Sequence, residues 1–465
     1  MAVSLVAAVL IVGLFIVGIR LMQSPTSALW GNRLGSTAML LALIWAFVST
    51  GWADIGLVLV YIGIGTAIGL LLAQSVKMIH MPQTVALLNG FGGAASALVV
   101  WAAVIGYAGE DAALVFWGTS GLAVGVGALT FSGSVVAVLK LQGIAFRKPV
   151  QFPGYGHIFR ATLAAAVIIT ILNAVMVGSM YGVLVPVLVL LCLLGGFLMT
   201  LRIGGADMPI VISLLNSFSG IAAAVAGLAV ENFVLVGAGS LVGVAGLVLT
   251  RIMCQAMNRS LLAVLTGFTP GAHAQTQGEK EEPEEAAEPK SAALGEADLP
   301  GILREAKRVI IVPGYGMAVS HAQDAVRQLT NAFEKNGAEV KFAMHPVAGR
   351  MPGHMYVLLA EVGIDYDKLM DLKPINPQFA HADLALIVGA CDVVNPAANA
   401  AENTPISGMP ILNAGEAKNV VVCNLDEKPG YSGVDNTLYH QEHVITVWGD
   451  ASETVPRLTE MLTSG

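Results

Sequence analysis

The sequence predicts two parts of different class, a membrane domain of about nine α-helical spans followed by an α/β domain with a doubly wound sheet. Over the whole chain 55% of residues are apolar and only 12% are charged, whereas soluble chains average about 25% charged residues. Residues 1–260 carry 15 charges and a net charge of +5, whereas the other 205 residues carry 41 and a net charge of −13. Beyond residue 296, segments typical of strands and helices alternate. A single soluble globule is therefore excluded.

Nine apolar stretches in the first part are long enough to cross about 30 Å of hydrocarbon. They cover roughly residues 3–22, 36–52, 55–74, 84–107, 112–139, 159–179, 182–201, 208–230 and 232–252.

Charge in the connecting loops predicts the orientation of these spans. All ten basic residues follow odd-numbered spans, and the loops on the other side carry only acidic residues. The basic residues are Arg20, Arg33, Lys77, Lys140, Arg147, Lys148, Arg160, Arg202, Arg251 and Arg259, and the opposing acidic residues are Asp54, Glu110, Asp111 and Glu231. The positive-inside rule then places the N-terminus outside and the C-terminal part in the cytoplasm, as in a multi-pass protein of the inner (cytoplasmic) membrane.

Polar residues inside the spans are few. No Lys, Arg, Glu or His lies near the middle of a span, although an ion path usually contains such groups. The strongest candidates are Asn89, Ser134 and Asn216, and Asp207 lies at the cytoplasmic end of the eighth span. For the asparagines, a helix–helix hydrogen bond and a polar step in a water-filled path both remain open.

An acidic, proline-containing segment, EKEEPEEAAEPK, predicts a flexible linker over residues 261–295 between a domain at 1–260 and a domain at 296–465. The last domain alternates predicted strands with predicted helices, which indicates a mostly parallel, Rossmann-like sheet. The strands are predicted at 309–314, 338–346, 384–390, 420–424 and 443–449, and the helices at 317–337, after MPGH and at 450–462.

The first turn from strand to helix runs from Gly314 to Val319 and reads GYGMAV. Its two glycines permit a tight turn and the close approach of a pyrophosphate. The third position of the motif is Val319 instead of glycine or alanine, and the second strand ends at His345 and Pro346 without the usual ribose-binding acid. A nucleotide site and a tight turn without a ligand both fit this pattern.

Three later loops, at 345–354, 389–396 and 428–436, should meet at the same edge of the sheet because they follow its strands. Arg350 could pair with a phosphate, and Asp392 and Asn395 could orient an amide or a ribose. The alternatives are a structural salt bridge for Arg350 and a helix cap or turn for Asp392.

Several of these strings occur together and in order, including GADMPIVISLLNSFSG (205–220), PGYGMAVSHAQ (313–323), HPVAGRMPGHM (345–355) and DVVNPAA (392–398). With them the chain resembles the beta subunit of proton-translocating NAD(P) transhydrogenase over essentially its whole length. The resemblance implies a cytoplasmic NADP(H)-binding domain and a proton-translocating membrane domain. It also implies alpha subunits that carry the NAD(H)-binding domain and extra membrane helices, in a dimer of alpha–beta units. Hydride would pass from NADH on the companion to NADP⁺ here, driven by inward proton movement.

The resemblance also assigns residues. It implies that residues 314–319 and Arg350 contact the phosphates, that Asp392 lies near the nicotinamide, and that Tyr431 belongs to a loop over the cofactor. The predicted cofactor-binding set is Gly314, Tyr315, Gly316, Met317, Ala318, Val319, Arg350, Asp392, Asn395, Asn424, Lys428, Gly430 and Tyr431, and the predicted proton-path or coupling set is Asn89, Ser134, Asp207 and Asn216. No catalytic acid, base or metal is expected, because hydride transfer requires position and exclusion of water.

Two positions depart from the family pattern. Asn89 stands where the family has a membrane histidine, so we predict that a companion helix supplies a histidine facing it. Residues 424–426 read Asn-Leu-Asp where the family has a Lys-Arg-Ser run that grips the 2′-phosphate, and Lys428 is the nearest cation. NADP(H) is the expected ligand and NAD(H) the alternative.

Two other functions fit the same residues. One is a transporter or channel with a cytoplasmic nucleotide-sensing domain, and the other is a nucleotide-binding module without catalysis. In each case the lipid bilayer is an expected partner and nucleic acid is not.

Overall fold

The structure is a computed structural model that describes residues 2–22, 25–50, 55–76, 80–106, 114–145, 150, 152–176, 180–204, 207–257, 260–266, 296–349, 353–400, 404–430 and 432–464. The chain divides into two compact units, Met1–Thr250 and Arg251–Gly465.

The first part of the chain contains, within the described ranges, nine helices that are long and apolar enough to cross a membrane. They are α1 (Ala2–Leu21), α2 (Pro25–Thr50), α3 (Ile55–Ser75), α4 (Met81–Gly106), α5 (Leu114–Leu141), α6 (Tyr155–Val175), α7 (Tyr181–Leu201), α8 (Met208–Ala229) and α9 (Phe233–Ala256). The chain is therefore a multi-pass membrane protein, as predicted. Helix α2 begins well before the predicted residue 36 and includes Arg33, whose guanidinium lies 5.1 Å from the Trp30 ring centroid. The long side chain lets the helix continue through a charged position.

Helices α4, α5, α7 and α8 form the centre of this bundle, and glycines bring their backbones close together. A side chain at Gly93 would come within 2.8 Å of the Gly127 carbonyl oxygen, so α4 and α5 are in direct backbone contact. Helices α8 and α9 are joined by hydroxyls, since Ser217 Oγ donates to Gly243 O at 2.7 Å and Ser213 Oγ donates to Gly246 O at 3.1 Å. By contrast, α3 has no buried residue.

The second part contains a parallel six-stranded sheet, which confirms the predicted fold class. Its strands are β1 (Arg308–Pro313), β2 (Glu339–Met344), β3 (Leu369–Asp371), β4 (Leu384–Val388), β5 (Val420–Asn424) and β6 (Val444–Trp448), in the order β3-β2-β1-β4-β5-β6. Val309 pairs with Val340 on one side and with Leu384 on the other. The strand order reverses between β1 and β4, which is where doubly wound sheets form their ligand crevice. The sequence did not predict β3, because three residues are too few to show a periodicity.

The remaining helices are α10 (Leu261–Thr266), α11 (Leu299–Glu305), α12 (Tyr315–Val319), α13 (Gln323–Lys335), α14 (His354–Glu361), α15 (Leu372–Phe379), α16 (Ala397–Ala400) and α17 (Ala451–Thr463). The single helix predicted over 317–337 is wrong, because the chain breaks between α12 and α13. His321 has φ 55° there, and Ala322 N donates to Met317 O at 3.0 Å. A left-handed residue ends one helix and lets the next begin in a new direction.

Candidate functional site

The glycine turn after β1 lies directly against the turn after β4. Gly314 N donates to Val388 O and Gly316 N donates to Gly389 O, each at 2.8 Å. A side chain at Gly314 would overlap the Gly389 carbonyl, and Gly389 itself has φ 68°. Both glycines of the predicted motif are therefore required by contact between two turns. The sequence did not identify Gly389 as their partner, because that pairing depends on the strand order.

The side chains that follow Gly314 in this turn differ in how deeply they are buried. Met317 and Ala318 are buried in the core, so their side chains are turned away from the surface. Val319 is exposed, and the Tyr315 ring lies 6.4 Å from the His354 ring, centroid to centroid. Tyr315 and Val319 are thus the members of this stretch whose side chains are not buried.

The loop after β2 is held in place by His345, which stands at the end of the strand where a ribose-binding acid is usual. Val347 N donates to His345 Nδ1 at 3.3 Å, so Nε2 carries the proton and donates to Pro410 O at 2.7 Å. Burial lowers the pKa of His345 to about 4, which keeps the ring neutral. Gly349, with φ 102°, then lies against the His354 ring. Arg350 lies outside the described residues, so its phosphate contact stays a prediction.

The loops after β4 and β5 are joined side by side. Asp392 accepts a hydrogen bond from Ser432 Oγ at 2.5 Å, and Asn395 Nδ2 donates to Asp435 O at 3.0 Å. Gly430 lies close enough that a side chain there would come within 2.8 Å of Asp392 Oδ2. The structure thus brings together Asp392, Asn395 and Gly430, as predicted for loops at one sheet edge. Tyr431 is outside the described residues.

At the end of β5, Asn424 and Lys428 are both occupied by protein contacts. Asn424 is buried, and its Nδ2 donates to Ala390 O at 2.9 Å and to Tyr439 OH at 2.8 Å. Lys428 Nζ lies 2.8 Å from Asp426 Oδ2 at the surface, and this hydrogen bond raises the pKa of Lys428 and lowers the pKa of Asp426. The cation nearest to the missing Lys-Arg pair is therefore already paired with a carboxylate.

In the membrane part, three of the four predicted polar residues are buried. Asn89 Nδ2 donates to Ile212 O of α8 at 3.1 Å, which is an interhelical bond. Ser134 is fully buried on α5, beside Gly90 of α4, and its hydroxyl makes no hydrogen bond within the described residues. Asp207 precedes the first residue of α8, and Asn216 is partly exposed on that helix.

Two residues of this region, Thr200 and Lys140, make contacts that the sequence did not predict. Thr200 of α7 is fully buried, makes no side-chain hydrogen bond in the described ranges, and would lie 3.1 Å from a side chain at Gly133. Lys140 Nζ donates to Leu201 O at 2.6 Å and to Ile203 O at 2.8 Å, so it caps the end of α7. Neither contact has a sequence signal, because both depend on how the helices are arranged.

No group of three or more His, Cys, Asp or Glu is placed to hold a metal among the described residues.

A family model and two relatives each match nearly the whole chain. The family described as "NAD(P) transhydrogenase beta subunit" matches residues 2–461. The "NAD(P) transhydrogenase subunit beta" of Rhodospirillum rubrum is 40% identical over 467 residues, which cover 98% of each chain. The protein of the same name from the strain ATCC 11170 of that organism has the same identity and coverage.

Proposed function

Because the chain belongs to the family of NAD(P) transhydrogenase beta subunits, we propose that its sheet domain binds NADP(H) and accepts hydride from NADH held on the alpha subunit. In this proposal, residues 1–260 move protons across the inner membrane, residues 261–295 are a flexible linker, and residues 296–465 are the cytoplasmic nucleotide domain. The N-terminus lies outside, and two alpha–beta units form a dimer.

One observation carries the nucleotide part of this proposal. The turns after β1 and β4 meet where the strand order reverses, and Asp392 and Asn395 bond the loop after β4 to the loop after β5. Ligands of doubly wound sheets bind at this position. Gly314 and Gly316 let the turns after β1 and β4 pack backbone against backbone, which shapes the edge of the sheet where a dinucleotide would bind. Bound NADP(H) would supply the hydride chemistry, while Asp392, Asn395 and the adjoining loops position it and exclude water.

The membrane part of the proposal depends on buried polar groups. Ser134 and Asn89 are buried between α4, α5 and α8, and Asp207 lies at the start of α8. An asparagine does not titrate at physiological pH, so Asn89 can align water or a partner but cannot carry the proton. A histidine of the alpha subunit facing Asn89 would supply the titrating group. An alpha subunit whose membrane helices contain no histidine would contradict this.

The decisive experiment uses membranes that contain this chain and its alpha subunit. NADH should reduce an NADP analogue, the rate should respond to an uncoupler, and membranes with this chain alone should be inactive. Absence of turnover would favour a transporter or channel with a nucleotide-sensing domain. A turnover rate that the uncoupler does not change would show that hydride transfer is not coupled to proton movement.

A second candidate ligand is NAD(H), which the pairing of Lys428 with Asp426 favours. A 2′-phosphate needs an available Arg or Lys, and a carboxylate close by repels it. The test is titration of the purified full chain, without the alpha subunit, with NADPH and with NADH. Tighter binding of NADPH would support the proposed ligand, and equal or tighter binding of NADH would overturn it.

A further inference from the structure

Two basic side chains meet where α7 ends, in the membrane part of the chain. Lys140 lies near the end of α5, and its Nζ donates to Leu201 O at 2.6 Å and to Ile203 O at 2.8 Å. These two carbonyls flank Arg202, whose guanidinium lies 5.3 Å from the ring centroid of Tyr155 at the start of α6. The ends of three helices therefore hold two positive charges beside the same short stretch of main chain.

The chain supplies little negative charge to balance this pair. Between residues 112 and 230 it carries five basic residues and a single acid, Asp207. Within the described residues, the contacts of Lys140 are carbonyl groups and the contact of Arg202 is an aromatic ring. The partial negative charge at the end of α7 offsets part of the charge of Lys140. Like charges held this close repel each other, so an anion from outside the chain would be favoured here.

The exposed part of Arg202 has donors that suit such an anion. Arg202 is only half-buried, and its Nε is enclosed without a hydrogen-bond partner among the described residues. The two terminal nitrogens are therefore the donors that can bind a ligand. A planar guanidinium presents such nitrogens to two oxygens of one phosphate at once, which an ammonium does not.

The surroundings favour a lipid over a free ion. Because α5 and α7 both end here, the pair stands at the end of two membrane spans, at the level of the lipid headgroups. Ile144 is 70% exposed and Phe152 is 42% exposed, and the Phe152 ring centroid lies 4.9 Å from that of Tyr155. Exposed apolar side chains next to cations are typical of the membrane interface, where acyl chains meet their headgroups.

We propose that Arg202 and Lys140 form a binding site for the phosphate of an anionic phospholipid headgroup. Arg202 donates to the phosphate oxygens, whereas Lys140 stays on its two carbonyls and adds positive charge from behind. Ile144 and Phe152 lie beside the acyl chains. The second charge selects against a zwitterionic headgroup, because the ammonium group of such a lipid would be repelled. The site lies outside the nucleotide domain and does not depend on the function proposed above.

The test counts lipids bound to the purified full chain by native mass spectrometry. The wild type and the variants Arg202→Gln and Arg202→Lys are titrated in detergent with phosphatidylglycerol, which is anionic, and with phosphatidylcholine, which is zwitterionic. The wild type should bind phosphatidylglycerol about five to ten times more tightly, because two cations face the headgroup. Arg202→Gln should reduce this preference to less than about twofold. Arg202→Lys keeps the charge but loses the planar fork, so its preference should lie between the two.

Arg33 provides a matched control. It is also exposed at the surface of a membrane helix, and its guanidinium lies 5.1 Å from the Trp30 ring centroid. Arg33→Gln should keep the wild-type preference. The proposal would be overturned by a wild type without preference, by an unchanged preference in Arg202→Gln, or by an equal loss in Arg33→Gln.

A competition experiment separates a lipid from a free phosphate. Excess inorganic phosphate is added to the wild-type chain with bound phosphatidylglycerol, and a parallel sample receives chloride at the same ionic strength, because salt alone weakens exposed charge interactions. The number of bound lipids should be equal in the two samples, since the acyl chains hold the lipid in place. Displacement by phosphate but not by chloride would show that the site takes the free ion, and would overturn the assignment to a lipid.

Discussion

Two buried amides of the sheet domain and two buried hydroxyls of the membrane part are satisfied differently. In the sheet domain, the buried amides of Asn395 and Asn436 each donate to an atom of a neighbouring loop. In the membrane part, Ser134 and Thr200 are fully buried, yet their hydroxyls make no hydrogen bond within the described residues. An unmade hydrogen bond is costly in an apolar interior. The comparison teaches that the loops after β4 and β5 are held together by their own polar groups, whereas the Ser134 and Thr200 hydroxyls stay available to a partner beyond the described residues.

The largest expected effect concerns the turns that shape the crevice. In Gly389→Ala, the new methyl group would overlap the main-chain N of Met317, and the residue has φ 68°. We expect a loss of about 3–5 kcal/mol in the stability of the sheet domain, from overpacking and left-handed strain together. Hydrogen exchange of peptides from residues 296–465 in the full chain measures it.

Gly363→Ala is the matched control for this prediction. Gly363 has φ 80°, but nothing lies within 4 Å of an added side chain. It should therefore cost only the conformational strain, about 1 kcal/mol. Equal losses in the two variants would mean that the contact between the turns after β1 and β4 does not hold the crevice in shape.

The second prediction concerns pH. Burial lowers the pKa of His345 to about 4 in the fold, from about 6.5 in an unfolded chain. The folded state favours the neutral ring. The contribution of His345 to stability is therefore fully present above pH 6.5 and is lost as the pH falls through 4. It amounts to about 3 kcal/mol, at 1.36 kcal/mol for each pKa unit. His345→Gln should flatten the decline in protection of residues 296–465 between pH 6.5 and 4, whereas an unchanged decline would remove His345 as its cause.

The sequence predicts features that depend on neighbouring residues, but it does not predict contacts between residues that are far apart in the chain. The nine spans and the alternation of strands and helices are local patterns, and the structure confirms both. Gly314 and Gly316 are visible as a motif, but their contact with Gly389 requires knowledge that β1 lies beside β4.

The candidate site is less predictable for the same reason. A residue type alone does not show whether Asn424 faces a ligand or bonds to Tyr439, as it does here. His345 has no local signal either, because its partner, the Pro410 carbonyl, lies 65 residues away in the chain. Sequence reasoning finds the loops that form the site, whereas the bonds that fix each side chain depend on the folded arrangement.

The smallest effect on stability, and the sharpest test of the contrast between the two parts, is expected from Ser134→Ala. Because the buried Ser134 hydroxyl makes no hydrogen bond to the described residues, its removal relieves an unmet hydrogen bond and should raise stability by about 1 kcal/mol. If the hydroxyl holds water in the proton path, proton-coupled turnover of the alpha–beta complex should fall about tenfold, as expected when one hydrogen-bonding group of a transfer path is lost.

The control is Ser96→Ala, since Ser96 Oγ already donates to Gly92 O at 2.9 Å. Ser96→Ala should leave turnover near the wild-type value. Full turnover in Ser134→Ala would show that this buried hydroxyl is dispensable for proton movement, and the contrast would then reflect packing alone.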